Sequence, residues 1–152
     1  MDIYRAKSSV DSKTDRPVIV YLHTGNFLPP PINGSPTGLK TDSSAIVLCT
    51  EWAKRGYVAV APNYRQGWNP VAAGAAGLPA RRSTLLNAVY RAIHDMQYAI
   101  KGLRQDATMG SNTYGIDSDK IAMFGQGSGG YVALAYNTLD KQEEASLSKF
   151  IF

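Results

Sequence analysis

The sequence predicts an α/β fold in three layers: a mostly parallel sheet with helices on both faces. Three observations lead there. Short apolar runs rich in Val and Ala recur at Val18–Leu22, Tyr57–Ala61 and 120–124, and each reads as a buried strand rather than as a half-solvated one. Stretches with three- and four-residue apolar spacing separate them, as crossover helices do. The third run then enters "GQGSGG", the abrupt strand–turn–helix passage of a ligand-binding α/β turn.

The elements follow in order. "RPVIVYLH" carries the first run, and "TGNFLPPPINGSPTGLKTD" is a long Pro- and Gly-rich loop after it. Asp42 or Ser43 can cap a helix through "SAIVLCTEWAKR", which Gly56 stops. After the second run, "NYRQGWNPVAAGAAGLPARR" is another long loop. Ser83 opens the longest helix, with Leu85, Leu86, Val89, Ile93, Met96, Ile100 and Leu103 forming one stripe. "ATMGSNTYGIDSD" reads as loop and "KIAMF" as the third buried strand. A helix from about Gly129 to Leu139 follows, and the tail "KQEEASLSKFIF" fits either a further helix or a fourth strand. Crossovers between the parallel strands are expected to be right-handed. The loops after Leu22, Ala61 and Phe124 share the carboxyl end of the sheet, where such folds bind ligands.

Composition narrows the functional classes. At 152 residues, 44% hydrophobic and 18% charged, the chain suits one globular domain, residues 1–152. Net charge is +4, but the basic residues are scattered and form no stripe with interleaved aromatics, which argues against nucleic acid as a partner. No apolar run approaches the ~20 residues that span a bilayer, and "MDIYRAKSS" has no apolar leader, so a soluble chain without a membrane partner is expected. Cys49 alone excludes an internal disulfide. Two isolated histidines and one cysteine make no metal site, and no cofactor is implied.

Two turn patterns compete for residues 125–130. Gly125, Gly127 and Gly130 satisfy G-x-G-x-x-G, in which glycines let a backbone approach a pyrophosphate at a helix N-terminus. That pattern expects an acidic residue about 20 positions further on. "SKFIF" supplies none. The alternative is the nucleophile elbow G-x-S-x-G, which fails at one residue. Gly127 stands at the serine position, and Ser128 follows it.

Three ordered blocks resemble the carboxylesterase and lipase families of the α/β-hydrolase fold. "RPVIVYLHTGNF" is similar to their strand and His-Gly-Gly-Gly-Phe loop, and "AKRGYVAVAPNYR" to their next strand with its Tyr-Arg ending. "GIDSDKIAMFGQGSGG" is similar to their approach to the elbow, and "MDIYRA" to the end of a strand before Val18. The resemblance runs from about residue 2 to residue 137, and implies the N-terminal half of such a hydrolase acting on carboxylic esters. It assigns oxyanion-hole N–H groups to Gly25, Asn26 and Ser128. Thr24 and Asn26 depart from glycine and imply a stiffer loop. His23, Phe27, Tyr64, Trp68 and Gln126 are expected around the pocket, His23 as an anchor of the loop. An ester with an apolar acyl or aromatic group is the expected small-molecule partner.

Catalysis has two open versions. In one, Gly127 marks a lost nucleophile: glycine adopts positive φ freely and releases the strain of the elbow, of order 1–3 kcal/mol. In the other, Ser128 is a displaced nucleophile. That version puts Gln126 two residues ahead of it and reverses the facing of 120–124. Against ordinary catalysis, no histidine follows Ser128, although the fold orders its triad Ser, acid, His. His94 lies in the long helix off its stripe, as an exposed or packing residue. The expectation is therefore an esterase-like domain, incomplete on its C-terminal side, with weak or no turnover. A non-catalytic binding or assembly module and a nucleotide-binding domain are the other readings. An open sheet edge at or beside the strand before the elbow would invite a second chain or a swapped copy.

Overall fold

The computed structural model describes residues 1–74 and 77–138. Four strands form one sheet: β1 (Asp2–Tyr4), β2 (Arg16–Leu22), β3 (Val58–Ala61) and β4 (Ile116–Gly125), in spatial order β1-β3-β2-β4. β2 pairs in parallel with β3 and β4, while β1 runs antiparallel to β3. The helices are α1 (Pro30–Asn33), α2 (Ser43–Lys54), α3 (Gly77–Met109) and α4 (Ser128–Thr138).

The expected three layers are present, and the pleat explains why. Alternate residues of β2 and β3 point to opposite faces. Val18, Val20, Leu22, Val58 and Val60 join the core beneath α3 and α4, with Ala88, Ala92, Met96, Leu103 and Val132. Tyr21, Ala59 and Ala61 point the other way, onto Ala45 and Cys49 of α2. Both faces are thus covered, and the central strands read as continuous apolar runs.

Four details differ from the sequence reading. β4 is an edge strand with an alternating pattern, not a buried one: Ala122 and Phe124 are exposed, while Ile121 and Met123 pack on the α3/α4 core. Its one neighbour among the described residues is β2. α3 begins at Gly77 rather than Ser83, because Pro79 is tolerated in a first turn, and it continues to Met109, where Ala107 still reaches the core. The short α1 interrupts the first long loop. Asp42 occupies the N-cap position of α2 without capping it; its carboxylate accepts the N–H groups of Gly38 and Leu39 instead. The tail from Leu139 onward lies outside the described residues. No described helix is long and apolar enough to cross a membrane.

Candidate active site

Two loops and one turn meet at the carboxyl end of the sheet. The loop after β2 places His23 under the site, fully buried and stacked flat on Tyr64 with ring centroids 4.3 Å apart. His23 Nδ1 bonds the Thr24 carbonyl at 2.5 Å, and Nε2 has no partner among the described residues. Since the carbonyl only accepts, Nδ1 carries the proton. Burial lowers the imidazole pKa, so the ring stays neutral and holds the loop rather than moving protons.

The backbone then turns sharply. Asn26 and Phe27 take left-handed conformations, φ 53° and 58°. The loop after β3 holds them there: the Phe27 carbonyl accepts the N–H groups of Gly67 (2.9 Å) and Trp68 (3.0 Å). Gly25 lies so close to Gly38 that a Cβ would stand 2.9 Å from the Gly38 Cα.

The second wall is the turn between β4 and α4. β4 is in register with β2, Gly125 opposite Leu22, and the Gln126 N–H donates to the Leu22 carbonyl at 3.0 Å. Gly127 follows at φ +55°. A Cβ on Gly129 would run into the Leu22 carbonyl, and one on Gly125 into the Gly129 backbone. The glycines at 125 and 129 therefore let the helix start press against β2. The helix directs its positive N-terminal end at the turn. The N–H groups of Gly25, Asn26 and Ser128 have no acceptor among the described residues.

Ser128 itself is only 3% exposed. Its Oγ lies 2.9 Å from the Tyr64 hydroxyl, which donates to the His23 carbonyl at 2.7 Å. Tyr64 has one proton, so Ser128 is the donor of that pair. Burial pushes the Tyr64 phenol up to about 12, so it is no base for the serine.

Beside the turn lies a cavity of about 550 Å³. Asn26, Phe27, Trp68, Gly127 and Ser128 line it, together with Leu85 and Val89 of α3 and Tyr131 of α4. The structure thus brings Phe27 and Trp68 to the cavity. His23 and Tyr64 lie packed beneath it. Gln126 points to the other side, where its Oε1 accepts the Tyr21 hydroxyl at 2.7 Å. His94 is exposed on α3, edge-on to Tyr90. Leu85, Val89 and Tyr131 are cavity residues that the sequence reading misses. Leu85 and Val89 read there only as core stripe, and Tyr131 gives a signal only in standing one turn past the elbow. No group of three potential metal ligands occurs among the described residues.

An open, mixed sheet covered by helices, with a glycine-rich turn at the carboxyl end of β4, defines the class as α/β. A family model described as BD-FAE matches residues 1–150, and the chain belongs to that family of α/β-hydrolase-like esterase domains. No curated protein and no solved structure matched the chain.

Proposed function

We propose that the chain binds a carboxylic ester in the cavity between Phe27, Trp68 and Tyr131, with weak or no covalent turnover. Membership of an esterase-like family supports the ester as ligand class. The apolar and aromatic walls suit an apolar acyl or aromatic group. The ester carbonyl oxygen meets the N–H groups of Gly25, Asn26 and Ser128, which act as oxyanion donors. Such donors are worth about 3–4 kcal/mol each in an active enzyme. The observation that carries the low turnover is the hydroxyl of Ser128, buried and committed to Tyr64, beside a glycine at the nucleophile position.

Ester turnover on a short-chain p-nitrophenyl ester tests this. Residual acceleration without a nucleophile is expected, at most ~10³–10⁴ over water. It should fall with Trp68→Ala and remain in Ser128→Ala. Loss of all turnover in Ser128→Ala, with fluorophosphonate labelling of Ser128 in the wild type, would restore Ser128 as a displaced nucleophile. A second reading, a non-catalytic binding or assembly module, is favoured by one observation: β4 is ten residues long and pairs on one side only among the described residues. No ester binding, together with a stable dimer in solution, would decide for it.

A further inference from the structure

We infer that Thr24 closes the elbow: its side chain fills the volume that a side chain at position 127 would need, so Thr24 and Gly127 form one interlocked pair. The inference rests on reading Gly127 as the nucleophile position. The three atoms nearest to a Cβ built on Gly127 all belong to Thr24. The Cβ would overlap Thr24 Oγ1 and stand 3.1 Å from Thr24 Cβ and 3.7 Å from its Cα. Rotation about χ1 moves Oγ1 away but leaves the Thr24 Cβ in place. The neighbouring glycines differ. Gly125 and Gly129 are closed by backbone, which cannot be substituted away, whereas Gly127 is closed by a single side chain.

Thr24 is one of the two places where the oxyanion loop departs from glycine. A glycine there would leave the volume at 127 open. Two departures that look separate in sequence, one on each loop, therefore occupy the same space. The consequence concerns reactivity. A nucleophile placed at 127 alone meets Thr24 before it meets a substrate, and the turn accepts one only when residue 24 is small. Thr24 is thus a positioning residue: it decides whether the elbow can carry a reactive side chain.

A cysteine at 127 tests this without a catalytic base, because a thiolate is reactive by itself. Stability and iodoacetamide alkylation would be measured for Gly127→Cys, Thr24→Gly and the double variant. The left-handed φ at 127 penalises cysteine equally in both backgrounds, so the cycle isolates the steric pair. Gly127→Cys is expected to lower the folding equilibrium constant about tenfold more with Thr24 present than with Thr24→Gly. In the double variant, residue 127 should be alkylated with a pH midpoint below that of a free thiol, since the α4 N-terminus faces it. Gly127→Cys failing to fold while the double variant folds would support the interlocked pair equally. Additive effects would overturn the inference, as would a double variant that fails to fold although Thr24→Gly folds. Thr24→Ala, which removes the overlapping oxygen and the γ-methyl but keeps Cβ, is the second background. Loss of folding in both backgrounds means that Thr24 does more than fill space, and overturns the inference too. Ester turnover enters none of these outcomes, so the fate of the proposed function is read separately.

Discussion

The two turns that meet at the site distribute glycine in opposite ways. In the hydrolase pattern this chain resembles, the loop after the first strand is glycine and the elbow holds a strained serine. Here the loop carries Thr24 and Asn26 at two of the glycine positions, Asn26 and the Phe27 that keeps the pattern sit at φ 53° and 58°, and the turn before α4 has Gly127 at +55°. A left-handed φ costs a bulky residue of order 1–3 kcal/mol, and Asn less. Of these two turns, the one after β2 holds non-glycine residues in left-handed conformations, while the one before α4 places a glycine there, which bears it freely. Phe27 can bear it because its ring is buried and its carbonyl takes two N–H groups from the neighbouring loop.

The comparison can be broken most severely at Gly129. Gly129→Ala drives a methyl into the Leu22 carbonyl, and neither backbone can yield without separating α4 from β2. A loss of about 4 kcal/mol or more is expected in urea unfolding. Tyr64→Phe comes next. It strands the His23 carbonyl and the Ser128 hydroxyl in a buried place, so a loss of about 2 kcal/mol should appear as a lower urea midpoint with an unchanged slope. Asn26→Gly should change least. Relief of strain opposes the larger entropy of the unfolded chain, and a shift within about 1 kcal/mol of zero is expected. A large loss there would mean that the Asn26 side chain, not the turn, holds the loop.

Much of this is legible from residues. The buried strands at 18–22 and 57–61 follow from continuous apolar runs, which central parallel strands require. The stripe from Leu85 to Leu103 places α3, although Ala88 and Ala92 are too small to register as core. β4 misleads because an edge strand with one packed face can be as apolar as a central one: Ala122 and Phe124 look buried, yet β2 is the one strand that pairs with β4 among the described residues. Asp42 misleads because a carboxylate before a helix has two sets of N–H groups within reach, and the Gly38 turn wins. The pairing of Tyr64 with Ser128, and of Thr24 with Gly127, joins residues 64 and 103 positions apart, and no local pattern encodes contacts at that distance.

The two faces of the sheet are unequal, and this has a kinetic consequence. The α3/α4 side holds most of the core, whereas the α2 side is a smaller cluster of Tyr21, Ala45, Cys49, Ala59 and Ala61 with Tyr4, Leu48 and Trp52 packed against it. Layers with less buried apolar surface open at lower free energy than the molecule as a whole. Cys49 sits inside that thin layer, its thiol pushed up to about 11 by burial and unreactive while α2 is seated. Its modification by a thiol reagent is therefore expected to outpace global unfolding, with exchange at the amides of β2 and α3 slower than the loss of the thiol.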